Sequence, residues 1–267
     1  MEESRIIKMI NNNPSIISTI NNPTDEMKLL AIKNDGLTLE YIENPTIQMQ
    51  ELALDNNIRA IRYIENPTES MMIKAVNAGW SLLEYIKNPT DKVIEIAINQ
   101  AGWAIKYAKN PSEKLQLLSV RKNYDSIKFI KNPYESVQKE AVKISYDALK
   151  YIKSPSREIE IEAIKNNEAA ISFIYNLDKE KILDLLKANI LVIKYIKNEV
   201  SKDELEEVLK EVLSNEDVEE KYVRDFLSCS SIDRNSQKFE IDKILFIYKY
   251  GSKKAKKIAV DEKLKMI

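Results

Sequence analysis

Histidine is absent from this 267-residue chain, and cysteine occurs once, at Cys229. These two facts remove the Ser-His-Asp triad, the Cys-His dyad, His-ligated metals, internal disulfides and cysteine-based zinc sites. A single cysteine suits a reducing compartment, so a cytoplasmic location is expected. Glycine is scarce: Gly36, Gly79, Gly102 and Gly251 stand far apart, and no glycine-rich phosphate loop exists. No apolar run approaches the roughly 18 residues of a membrane span. The start Met1-Glu2-Glu3-Ser4 lacks the apolar stretch of a secretory signal. Neither charge sign dominates, with 41 basic and 42 acidic side chains. Carboxylate pairs such as Glu206-Glu207 are adjacent in sequence and do not converge on one helix face, so no acid–base constellation emerges. The expectation is a protein without catalytic residues, cofactor or metal.

What is present is a repeat. Pro23, Pro45, Pro67, Pro89, Pro111, Pro133 and Pro155 are each 22 residues apart. Asn precedes six of them (Asn22, Asn44, Asn66, Asn88, Asn110, Asn132), and Ser154 precedes the last. The register continues through Asn176-Leu177 and Asn198-Glu199, where proline is lost. About ten 22-residue units therefore fill 1–220. Each unit reads as two short helices. Proline stops the preceding helix and biases the residue before it away from the α region. Thr24, Thr46, Thr68, Thr90, Ser112 and Ser156 then stand as N-caps, commonly followed by an acid that suits the helix dipole.

The apolar slots recur with the same period. Ala31, Ala53, Ala75, Ala97, Ala141 and Ala163 share one, with Ser119 the exception. Leu39, Ile61, Leu83, Ile105, Ile127, Leu149, Ile171 and Ile193 share a second. Ile42, Ile64, Ile86, Ile130, Ile152, Ile174 and Ile196 share a third, with Ala108 intruding. A 22-residue helix pair cannot bury its apolar face alone, whereas stacked neighbours share a continuous core. The predicted fold is an all-α solenoid, with 221–267 as a C-terminal helical cap over its last face. In the tail, Ser201 and Glu204 match a capping box, Gly251 a C-cap and Ser252 an N-cap for a last helix reaching Met266.

The stretch Ala31-Ile32-Lys33-Asn34-Asp35-Gly36-Leu37-Thr38-Leu39-Glu40-Tyr41-Ile42 resembles the repeat of the DUF4116 family, as does Ala97 to Ala108. The resemblance covers about 20–220 and implies a helical repeat array of a kind common in uncharacterised bacterial, phage and giant-virus proteins. It implies no activity and no catalytic residue.

Two features point to a partner. The slots one before and two after the recurrent aromatic turn basic in later units: Lys106 and Lys109, Lys128 and Lys131, Lys150 and Lys153, Lys194 and Lys197. On a helix such pairs share a face. They read as a solvated face, as a strip for an acidic protein, or as a nucleic-acid contact. Nucleic-acid binders usually carry a more basic domain than this. Trp80 and Trp103, at the bends of successive units, are candidate hot spots of a protein interface or packing groups at repeat junctions. The aromatic ladder Tyr41, Tyr63, Tyr85, Tyr107, Phe129, Tyr151, Phe173 and Tyr195 reads as inter-repeat packing. The Asn ladder reads as structural, its amides capping free carbonyls or bonding the next repeat. Acids between Asp203 and Glu220 are expected to pair with the lysine-rich last helix, which lowers the chance of a membrane patch. The functional expectation is a repeat scaffold for a macromolecular partner. A protein is favoured, one concrete version being a phage or mobile-element product that sequesters a host or defence factor. Nucleic acid through the lysine stripe is the alternative, and the oligomeric state is left open.

Overall fold

A computed structural model describes residues 2–264, and every regular element in it is helical, with no strand among the described residues. The chain divides into two compact units, Met1–Val137 and Gln138–Ile267. The boundary falls inside a helix of the repeat array.

The array consists of α1 (Glu2–Asn12), α2 (Asp25–Asn34), α3 (Ile47–Asn56), α4 (Glu69–Ala78), α5 (Asp91–Gln100), α6 (Glu113–Lys122), α7 (Glu135–Ile144), α8 (Arg157–Asn166) and α9 (Lys179–Ala188). From α2 onward each helix has ten residues and starts 22 after the last. Thr24, Thr46, Thr68, Thr90 and Ser156 cap their helices by accepting the third helical N–H, as at Met27 and Met49, both 3.3 Å. Asp178 does the same where proline is lost. Ser112 occupies the N-cap position of α6, but its side chain accepts no capping hydrogen bond.

The second element of each unit is not an α-helix. It is a 3₁₀ helix, of six residues at Gly36–Tyr41, Ile58–Tyr63, Trp80–Tyr85, Gly102–Tyr107, Tyr124–Phe129, Tyr146–Tyr151 and Glu168–Phe173 and of five at Ile190–Lys194. One extended residue joins the two elements, and it serves as C-cap of the first and N-cap of the second. Asp35 accepts from the Leu37 N–H at 2.9 Å, Asn57 from Arg59 at 3.1 Å and Asn167 from Ala169 at 2.8 Å. A 3₁₀ helix rises about 2.0 Å per residue, so six residues reach ~12 Å. A ten-residue α-helix reaches ~15 Å. The stretched second arm is how a complete two-arm unit closes within 22 residues.

The apolar slots fall where the periodicity places them. The slot of Ala31, Ala53, Ala75, Ala97, Ala141 and Ala163 is fully buried, and so is Ser119. Ile61, Leu83, Ile105, Ile127 and Ile193 are buried as well, as are Ile64, Ile86, Ile152 and Ile196. Ile61 lies on the 3₁₀ arm and Ile64 is the extended residue that ends it, its N–H bonded to the Ile61 carbonyl. A further small slot accompanies them: Thr38, Ala60, Ala104, Ser126, Ala148 and Ala170 are all buried. A small residue there lets the 3₁₀ arm lie against its own α-helix.

At five junctions the residue in the asparagine slot has a conformational role. Asn22, Asn44, Asn110, Asn176 and Ser154 carry φ near +50°. Asparagine tolerates that left-handed backbone better than other residues except glycine. Contrary to the expected capping role, the amides of Asn22, Asn44, Asn66, Asn110, Asn132 and Asn176 make no hydrogen bond among the described residues. The bridges between repeats lie instead at the mid-repeat bend. Asn56 donates to the Lys33 carbonyl at 2.9 Å and accepts from the Gly36 N–H at 2.7 Å. Gln100 spans Val76 O and the Trp80 N–H in the same way. In the second unit Asn166 and Asn189 donate to Lys143 O and Ile164 O.

Beyond the array, α10 (Lys202–Ser214) begins with the expected Ser201–Glu204 capping box. α11 (Glu220–Ser228), α12 (Lys243–Tyr250) and α13 (Lys253–Leu264) follow. Tyr222 of α11 is buried, and its hydroxyl donates to Leu186 O of α9 at 3.1 Å. Ser252 caps α13, accepting from Ala255 at 3.1 Å. Met266, the expected end of that helix, lies outside the described residues.

Candidate functional site

In the first unit, Lys106 and Lys128 sit on 3₁₀ arms and are exposed. Neither projects as an uncommitted cation. Lys106 Nζ lies 4.6 Å from the Tyr107 ring centroid and 5.7 Å from that of Trp80. Lys128 pairs with Asp125 at 2.6 Å and stacks on Phe129 at 5.1 Å. Burial pushes the Asp125 carboxyl up, but hydrogen bonds from Lys128 and from the Trp103 indole hold it below its ordinary value overall. Trp103 is 38 % exposed, and its Nε1 donates to Asp125 Oδ1 at 2.7 Å. One tryptophan, one aspartate and one lysine thus lock two successive bends together. Trp80 is partly buried, with its backbone N–H held by Gln100.

Lys109 and Lys131 behave differently. Each lies past the end of its 3₁₀ arm, in the bend that leads to proline, so the two lysines of a unit do not share a helix face. The 3₁₀ arm ends at the aromatic, because the following residue turns extended before the Asn-Pro junction. Lys109 reaches only Asn88 Oδ1 at 3.4 Å, and neither residue meets a carboxylate among the described residues. Lys131 borders a groove of about 640 Å³ between two junctions, lined by Ala108, Pro111, Gln116, Phe129 and Tyr134. Gln116 is buried at its base and bridges Pro111 O to the Tyr134 N–H. Tyr134 and Phe129 are 51 % and 41 % exposed.

The second unit repeats the division. Lys150 faces Asp147 at 3.7 Å, and Lys194 pairs with Glu168 at 3.1 Å. The Glu168 hydrogen bond raises the Lys194 ammonium above its ordinary value. Lys153 and Lys197 are exposed and meet no carboxylate among the described residues. Lys153 lines a junction groove of about 650 Å³ with Pro155, Phe173, Tyr175 and Glu160. At its base Glu160 is buried and pairs with Lys181 at 2.9 Å.

Two further expectations change. The aromatic ladder is sequestered only in part: Phe173 stacks on Tyr146 of the neighbouring repeat, with ring centroids 6.4 Å apart, whereas Tyr41, Tyr85, Phe129 and Tyr195 are each more than a third exposed. The acids of 203–220 turn mainly to repeat lysines, not to the last helix. Glu204 pairs with Lys179 at 2.9 Å, Glu211 with Lys187 at 2.7 Å and Glu219 with Lys165 at 3.7 Å. Toward α13, the Lys253 backbone N–H meets Glu216 at 3.4 Å. The basic residues at the ends of later first helices are thereby largely neutralised in the second unit.

No cluster of three His, Cys, Asp or Glu side chains suited to a metal occurs among the described residues, and no helix there is long and apolar enough to cross a membrane. Comparison with known proteins finds no matching family model, no similar curated protein and no similar solved structure. The likeness to DUF4116 repeats therefore rests on the repeat residues alone.

Proposed function

We propose that this chain is a non-catalytic repeat scaffold that docks a protein along the edges formed by its Asn-Pro junctions. The observation that carries this reading is the division of labour among the lysines. One lysine per unit is tied to its own acid or aromatic ring. The other meets no carboxylate among the described residues, and at Lys131 and Lys153 it lines a groove walled by proline and an exposed aromatic. Within the first unit, Lys109 and Lys131 sit one repeat apart, about 10 Å at helix-packing distance and near one Debye length. DNA phosphates recur every ~3.4 Å along a strand, so such sparse cations interleaved with aromatics match them poorly. They suit a protein segment carrying acidic and apolar side chains.

The test uses the full chain and a quadruple variant, Lys109→Glu, Lys131→Glu, Lys153→Glu and Lys197→Glu, with folding checked by circular dichroism. Affinity capture from the source cell, read by mass spectrometry, should recover a protein that the variant fails to hold. Labelled single- and double-stranded oligonucleotides should bind neither form at low salt. Nucleic-acid binding with a steep salt dependence, lost in the variant, would replace this reading by the alternative. Recovery of no protein by the parent chain would leave only a spacer role.

A further inference from the structure

The outer face of the last helix pair is unlike the rest of the surface. Ile244, Ile247 and Tyr248 of α12 stand at helical spacing opposite Lys256, Ala259, Val260 and Lys263 of α13. Together they line a groove of about 320 Å³ whose walls are almost wholly apolar. Tyr248 is 74 % exposed and Val260 58 %. Exposed apolar groups clustered in a concavity and rimmed by charge mark an interaction site.

The rim says what fits. Residues 243–264 hold seven lysines against two carboxylates, Asp261 and Glu262. Glu262 is taken by Arg224 of α11. Lys253, Lys254, Lys256, Lys257 and Lys263 form no ion pair among the described residues, because the acids of 203–220 are spent elsewhere. Lys256 lies 5.9 Å from the Tyr248 ring centroid, at the edge of the groove. A second copy pairing groove to groove would bring the Lys256 and Lys263 rims of the two copies together, which like-charge repulsion opposes. A bilayer takes up a convex apolar face, whereas here Ile244, Tyr248 and Val260 flank a concavity with Ile247 and Ala259 buried within it.

We infer that the α12–α13 groove binds an acidic amphipathic helix of a partner protein. Its apolar i, i+3, i+4 and i+7 side chains fill the groove, and its flanking carboxylates meet Lys256 and Lys263. This site is separate from the junction edges, and it stands or falls without them.

The probe is a fluorescein-labelled synthetic helix of about 18 residues, with leucine at those four positions and glutamate on the flanks. A control carries lysine in place of glutamate. Fluorescence anisotropy with the full chain should show binding of the acidic probe only, weakening as NaCl rises from about 0.05 to about 0.5 M. Val260→Asp should lower the affinity by about tenfold, as expected when a buried apolar anchor is replaced by a charge. The junction-lysine quadruple variant should bind the probe as the parent does. The inference fails if the acidic probe does not bind, if both probes bind alike, or if Val260→Asp has no effect. It fails equally if sedimentation shows a dimer that Val260→Asp splits, which would make a second copy the occupant. Vesicles containing phosphatidylserine that bind the chain through Tyr248 while the probe does not would assign the groove to a membrane.

Discussion

Replacing Gly102 by alanine tests how closely the repeats are fitted. A Cβ at Gly102 would stand 2.4 Å from the Ser119 carbonyl oxygen and 3.1 Å from the Asn123 backbone nitrogen, both on the next repeat. Neither is the end of a flexible side chain, so the joint itself must open by several tenths of an ångström. The Gly102 N–H also donates to Asn123 Oδ1 at 2.8 Å, and opening the joint strains that bond. Overpacking of this kind costs about 1–3 kcal/mol, and a lost hydrogen bond about 1 kcal/mol. The reduced entropy of the unfolded chain returns roughly 0.4–1 kcal/mol. The net expectation is a destabilisation of about 2 kcal/mol, or a fall in Tm of about 4–8 °C if the chain unfolds cooperatively. Gly79→Ala is the internal control. Its backbone is extended, with φ 176°, and a Cβ there meets nothing within 4 Å, so stability should hold or rise slightly. Thermal unfolding by circular dichroism compares the two, and hydrogen exchange localises the effect to 102–123. Equal stability of Gly102→Ala and the parent, or equal damage by Gly79→Ala, would refute the close-joint reasoning.

Asn110→Ala places a Cβ-bearing residue without a short polar side chain at φ 51°, and a loss of about 1 kcal/mol is expected in urea unfolding. Asn110→Gly should lose much less, because the asparagine serves conformation and not hydrogen bonding. Glu204 accepts the Ser201 N–H and the Lys179 ammonium, and its carboxyl is held down to about 2 from an ordinary 4.5. A folded-state value below the unfolded one means its stabilisation is whole above pH 4.5 and drains as pH falls toward 2. Glu204→Gln should therefore flatten the pH dependence of Tm in that window while lowering Tm near neutrality. Lys181→Met strands the buried Glu160 carboxylate and should destabilise by about 3 kcal/mol; Lys181→Met with Glu160→Leu should recover most of that loss in the same denaturant titration.

The period and the core are legible because proline marks seven junctions at one position, six of them after asparagine, and because the alanine and isoleucine slots keep register with single exceptions at Ser119 and Ala108. The nature of the second arm is not. Ile58-Arg59-Ala60-Ile61-Arg62-Tyr63 carries no propensity that separates a 3₁₀ from an α turn, and only the extended residues at both ends enforce the tighter winding. The repeat bridges escaped notice because they use Asn56, Gln100 and Asn123, which differ in residue type or slot. The state of each lysine depended on partners that no spacing rule points to. Lys128 finds Asp125 three residues back, whereas Lys194 finds Glu168 twenty-six back. The groove between α12 and α13 was invisible for a similar reason. Ile258 and Val260 look alike in sequence, but one turns inward and the other outward.

The amide bridges of Asn56, Gln100, Asn123, Asn166 and Asn189 reach from one bend to the bend before it, so the repeats that carry them are stitched to their predecessors by their own side chains. Such a chain can be lengthened or shortened by whole 22-residue blocks without exposing raw backbone, whereas an insertion of one or two residues within a block unpicks two seams at once. Variation in a lineage of these proteins should thus be counted in complete units, with odd-sized changes confined to the tail beyond α9.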